Sequence, residues 1–103
     1  MWALDVGVEF FGTLFFMACI LLSGGHPVAI GAALAVAIWL GSMAGGKANN
    51  FNPAVSLAML AKGVVEPARC ATYVAAQVLG ALAAVAVVAA VPGGAAEWLH
   101  LKQ

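Results

Sequence analysis

The sequence predicts an all-α membrane protein with three transmembrane helices and one re-entrant half helix. Three observations predict it. Of the 103 residues, 65% are apolar and 8% charged, where a soluble domain carries about 25% charged residues to cover its surface. The few charges are segregated into short stretches that separate long apolar runs. Between the second and third runs lies a segment, Asn50-Phe51-Asn52-Pro53-Ala54-Val55-Ser56-Leu57-Ala58-Met59-Leu60-Ala61-Lys62, that is capped like a helix yet too short to cross a bilayer.

The first apolar run covers residues 6–22, with Glu9 and Thr13 near its start. The pentapeptide before it, Met1-Trp2-Ala3-Leu4-Asp5, has no Lys or Arg and is a poor signal-peptide n-region. The first segment is therefore expected to stay in the mature protein. Ser23-Gly24-Gly25-His26-Pro27 reads as a tight turn, and the second run covers 28–44 before Gly45-Gly46-Lys47. The third covers 71–91, after Glu66-Pro67 and Arg69, and stops at Pro92-Gly93-Gly94. Each meets or nearly meets the ~17–25 residues needed to span a bilayer. Neither the second nor the third shows a polar face, which argues against a soluble three-helix bundle. Residues 95–103 read as an interfacial tail with Trp98 at headgroup level, and there is no room for a fourth span.

Small residues recur at helix-packing spacing: Gly41 with Gly45, and Ala76, Gly80 and Ala84. Such stripes let helix backbones approach closely in lipid. Cys19 and Cys70 read as small apolar packing residues, without spacing for a disulfide or metal site. Lys47, Lys62 and Arg69 fall on the side of the N-terminus and the 47–69 loop, against Lys102 on the other. The positive-inside rule then puts the first side in the cytoplasm, by a margin small enough to be compatible with both orientations.

The short segment, residues 53–62, is only ~15 Å long as a helix, half of a ~30 Å bilayer core. Asn52 is a good N-cap and Pro53 suits the first helical position, where the N–H has no intrahelical partner. A half helix pointing its N-terminus at the bilayer midplane places a positive dipole end and free N–H groups there. That attracts oxygen-bearing polar molecules and repels cations, protons included. Asn52 adds a side-chain donor at the same spot. An ordinary turn is the bland reading of Asn-Pro-Ala; its place between two spans favours the pore.

Glu9-Phe10-Phe11-Gly12-Thr13, Asn52-Pro53-Ala54-Val55 and Gln77-Val78-Leu79-Gly80-Ala81 occur in one order and register. On these motifs the chain resembles the first half of an aquaporin or glycerol facilitator, the major intrinsic protein family, over roughly residues 5–92. The resemblance implies half of an aquaporin-like right-handed bundle, a single half-repeat over 1–103. It implies that Asn52, with Pro53, Ala54 and Val55, meets the solute at mid-pore, alongside Asn49, Asn50 and Phe51. It also implies that Glu9 buttresses the loop, with Gln77, and that Gly80 sits at a helix crossing.

The sequence departs from the family pattern in informative ways. Family members hold two such halves, inverted, whose half helices meet; this sequence holds one. Two copies inserted in opposite orientations rebuild the pair, so the expected partner is a second copy in an antiparallel dimer, with eight chains in a tetramer of pores. Where the second family motif carries an Arg, this chain has Val55 in every copy, and Ile30 stands where an aromatic usually contributes. Val and Ile predict loose selectivity toward small neutral solutes or gases, or a poorly conducting pore. Asn50 replaces a His, which removes a titrating group, and the loop before it reads as slightly longer than usual.

The function expected is a passive channel for water or small uncharged solutes in the inner or plasma membrane. The alternatives are a non-conducting structural or regulatory subunit, one half of a heteromeric channel, and a fragment of a longer gene. No cofactor or metal is expected, and zero formal charge gives no reason to expect nucleic acid. An enzyme is the least expected class: His26 and His100 have no converging base or nucleophile, and Gly45-Gly46-Lys47 lacks the rest of a phosphate loop.

Overall fold

A computed structural model describes residues 2–93. The expectations for the tail, Trp98 and Lys102 lie outside the described residues. Four helices follow in order: α1 (Trp2–Leu22), α2 (Pro27–Met43), α3 (Pro53–Lys62) and α4 (Pro67–Ala90). There is no strand among the described residues.

Each boundary has a local cause. His26 caps α2, its Nδ1 accepting from the Ala29 N–H at 3.4 Å, and Pro27 occupies the first helical position. Asn52 caps α3 in the same way, Oδ1 accepting from the Ala54 N–H at 2.8 Å. Gly63 ends α3 in the left-handed conformation (φ 83°), its N–H bonded to the Leu60 carbonyl, a conformation glycine adopts without steric cost. Pro67 opens α4, and the helix stops at Ala90, two residues before Pro92.

Helices α1 and α4 each begin one turn before the apolar runs at 6–22 and 71–91. Asp5 and Arg69 fall within the helices rather than before them. At 21 and 24 residues both are long and apolar enough to cross a bilayer, whereas α2 has 17 residues, the short end of the ~17–25 range.

The burial pattern is inverted relative to a soluble protein. Helix α1 buries Asp5, Glu9, Thr13 and Phe16, spaced as one helical stripe, and exposes Phe11 at 68%. Helix α2 buries only Ala33, Ala37 and Gly41, leaving Val28, Trp39 and Met43 outside. Among the largest fully buried side chains, Gln77, Glu9, Thr13 and Ser56 accompany Phe51. Apolar side chains outside and polar ones inside suit a lipid surround, where polar groups need protein partners.

Helix α4 runs parallel to α1 from Asp5–Tyr73 through Glu9–Gln77 and closes on it at Gly80. A Cβ there would stand 2.5 Å from the Phe10 carbonyl oxygen and 3.2 Å from Thr13 Cβ. The pairing expected of Gly41 with Gly45 is corrected. Gly45 lies beyond the end of α2 with φ 95°, and Gly41 receives the side chains of Asn49 and Phe51 rather than a helix backbone. A loop docking in the groove has taken the space that the spacing alone assigned to a helix.

Candidate functional site

The segment between α2 and α3 carries irregular backbone into the interior of the bundle, so its N–H groups require partners. Carbonyls at the end of α2 take the first ones: Ala44 N–H donates to Leu40, Gly45 to Ser42 and Gly46 to Gly41. Two carboxyl groups of α1 take later ones. Asp5 Oδ1 accepts from the Lys47 N–H at 2.8 Å. Glu9 accepts from the Asn50 N–H at 2.9 Å and the Phe51 N–H at 2.7 Å.

These contacts trace the path of the chain. It starts at the level of Asp5, near the beginning of α1, and reaches the level of Gly12, where the Phe51 ring packs against the glycine so closely that a Cβ would overlap it. Gly12 is the middle residue of α1 (Trp2–Leu22). Helix α3 then returns toward the starting end: Leu60, Val64 and Val65 line the same cleft as Asp5 and Tyr73. The turn of this hairpin, with Asn52 on it, therefore sits at mid-height of α1.

A buried polar cluster fixes that turn. Gln77 Nε2 donates to Glu9 Oε1 at 2.9 Å and to Ser56 Oγ at 2.8 Å, and Asn50 Nδ2 donates to Ser56 Oγ at 3.0 Å. Glu9, Gln77 and Ser56 are fully buried. Helices α1, α3 and α4 and the loop thus meet at one network, whose members rigidify each other in a low-dielectric interior. Cys70 adds a weaker thiol contact to the Ser56 carbonyl at 3.5 Å.

Asn49 and Phe51 have φ of 50° and 56°. An aromatic residue in the left-handed region carries about 1–2 kcal/mol of strain, held here by the Glu9 bonds and by the Phe51 ring, which is 1% exposed against Gly12, Phe16, Ala37 and Gly41.

The residues named from the sequence thus divide. Asn52 and Ala54 are exposed, and Pro53 and Val55 partly so. Asn52 spends Oδ1 on the helix cap, which leaves the Nδ2 donors of this exposed residue available. Asn49, Asn50 and Phe51 were expected on the solute's path, but their side chains face inward. Asn49 Nδ2 binds Ser42 Oγ and the Gly46 carbonyl, Asn50 joins the buried cluster, and Phe51 fills the α1–α2 groove. The cradle made by Gly12, Gly41 and Gly46 takes in the side chains of Asn49 and Phe51, and Asn50 and Phe51 are buried as whole residues. Ile30 is partly buried against the Phe16–Ala33–Ala37 cluster.

Sequence reasoning passed over Asp5, Ser56 and Tyr73. The signal for two of them was present: Asp5 with Glu9 and Tyr73 with Gln77 are both one helical turn apart on apolar helices. Ser56, a polar residue within a short apolar helix, gave no comparable signal.

A family model described as major intrinsic protein matches residues 9–101. No curated protein and no solved structure matches the chain.

Proposed function

Because this chain belongs to the major intrinsic protein family, a family of membrane channels, we propose that it forms half of a passive pore for water or small uncharged solutes. The observation that carries the reading is the position of the α3 N-terminus. Asn52 is exposed at mid-height of α1, on a hairpin that enters and leaves at one end of the bundle. In this reading α1, α2 and α4 cross the bilayer and α3 is re-entrant. The α3 dipole and the Asn52 amide then offer donors to a solute oxygen where the bilayer is driest, and oppose cations there. Glu9, Gln77 and Gly80 support the loop, the first two by hydrogen bonds and the third by letting α4 close on α1.

One half helix lines one side of a pore, and an inverted second half supplies the other. A second copy in the opposite orientation is the partner proposed, facing Asn52 with its own Asn52. Lys47, Lys62 and Arg69 all lie toward the α1 N-terminal end, which favours a cytoplasmic placement for that end by an amount that opposite insertion can override. Val55 and Ile30 bring no charge to a constriction, so small neutral solutes fit better than a strict water filter.

Stopped-flow light scattering on proteoliposomes under an osmotic step tests the proposal. Shrinkage faster than empty liposomes, with a low activation energy and altered by Asn52→Asp, supports it. Inserted protein with no permeability to water, glycerol or ammonia defeats it and returns the chain to a non-conducting role or to a heteromeric half.

A further inference from the structure

The Glu9 network has a counterpart one turn away. Asp5 is 3% exposed although it lies in the first turn of α1, and an acid there serving only the helix dipole would remain in solvent. Its two oxygens reach other elements instead: Oδ1 accepts from the Lys47 N–H at 2.8 Å and Oδ2 from the Tyr73 hydroxyl at 3.2 Å. Glu9 does the same higher up, with Asn50, Phe51 and Gln77. The pairs Asp5–Tyr73 and Glu9–Gln77 each join residues 68 apart. The parallel helices α1 and α4 are thus bridged by two rungs about 6 Å apart along the axis, and each rung holds part of the same loop.

We propose that Asp5 is a second positioning residue of the pore loop, fixing its base as Glu9 fixes its apex; this rests on the channel reading above. The stretch from Lys47 to Asn50 needs both anchors. Three residues of extended chain reach about 10 Å, more than the ~6 Å between rungs, so the stretch is slack and folds at Asn49 into the left-handed region. Without the lower rung the Lys47 N–H loses its partner, and Lys47 and Ala48 are held only through Gly46, bonded to the Gly41 carbonyl, and Asn49, bonded to Ser42 and Gly46. Beside the base of the loop lies an open cleft of about 750 Å³, lined by Asp5, Lys47, Glu66, Arg69 and Tyr73 among others. The Tyr73 hydroxyl sets the plane of the Asp5 carboxyl group so that Oδ1 meets the Lys47 N–H.

The test is amide-resolved hydrogen exchange of the full chain in lipid nanodiscs, paired with osmotic permeability in proteoliposomes. Asp5→Ala is expected to speed exchange at Lys47 by about tenfold or more, the loss of one hydrogen bond to a carboxyl group, while Asn50 and Phe51 stay slow under Glu9. Permeability should fall with it. Asp5→Asn keeps an acceptor and should restore slow exchange at Lys47 together with permeability, which a role in charge alone would not allow. Tyr73→Phe removes a single oxygen and should raise Lys47 exchange by a smaller factor, so it decides the matter where Asp5→Ala fails to fold. Unchanged Lys47 exchange in a folded Asp5→Ala or in Tyr73→Phe overturns the proposal. So does equal acceleration at Lys47, Asn50 and Phe51, or normal permeability with a released base. A wild-type chain that conducts nothing defeats the channel reading, and the exchange comparison then still decides whether Asp5 holds the loop.

Discussion

Helix α1 is held on two sides by different means. Toward α4 it presents Asp5 and Glu9, which accept directed hydrogen bonds from Tyr73 and Gln77, and Thr13, which packs at the close approach of Gly80. Toward α2 it presents Gly12 and Phe16, and the contact is one of shape: Ala33, Ala37 and Gly41 leave a groove that the Phe51 ring fills. The loop lies across both seams, its backbone bound to the polar one and its aromatic ring wedged into the apolar one. In lipid, where apolar burial gives little drive to helix association, close packing and hydrogen bonds are what remain. The polar seam holds the backbone of the loop, and the apolar seam holds its ring.

The largest effect expected comes from breaking the polar seam at its centre. Glu9→Leu strands the N–H groups of Asn50 and Phe51 and one N–H of the Gln77 amide, whose other N–H keeps Ser56. At about 1–3 kcal/mol for each buried donor left unpaired, and with partial relaxation, the loss is about 3–5 kcal/mol. A thermal unfolding midpoint in detergent unchanged by this substitution would remove the polar seam from the account. Glu9→Gln, which keeps one acceptor, should fall between Leu and the native residue.

Breaking the apolar seam comes next. Phe51→Ala empties the groove between Gly12 and Gly41 and should destabilise by about 3 kcal/mol, with Phe51→Leu recovering much of it. The contrast sharpens the comparison, since an apolar isostere rescues the apolar seam and cannot rescue Glu9. Gly80→Val drives its Cβ into the Phe10 carbonyl and should cost about 1–3 kcal/mol, read as the same shift in unfolding midpoint and as weaker protection of Gln77 in exchange.

The smallest effect on stability is expected where the proposed function is greatest. Asn52→Ala loses one helix cap, about 1 kcal/mol, because Asn52 is exposed and belongs to neither seam. Its effect should appear in permeability instead. A variant that unfolds as readily as Glu9→Leu would place Asn52 among the structural residues and weaken its assignment to the pore.

Much of this was legible from the residues alone, and the reason is local. Pro27, Pro53 and Pro67 begin helices, while Gly63 ends one and Pro92 follows the end of another, because these residues restrict or free φ without reference to distant contacts. Segregated charge and the long apolar runs marked a lipid surround by composition. The three motifs carrying Glu9, Asn52 and Gln77 identified the family.

What the tertiary structure alone decided is which way the side chains of the loop face. Asn49, Asn50 and Phe51 are adjacent to Asn52 in sequence, yet their side chains turn inward while Asn52 is exposed. That choice depends on Gly12, Gly41 and Gly46 leaving room and on Asp5 and Glu9 drawing the backbone N–H groups toward α1. These partners lie up to 42 residues away along the chain, and no local pattern encodes them. The sequence by itself determined the helices, their caps and the lipid environment, which follow from short-range sterics and composition. The position of the loop is a long-range balance of buried donors and acceptors, and only the packed bundle could settle it.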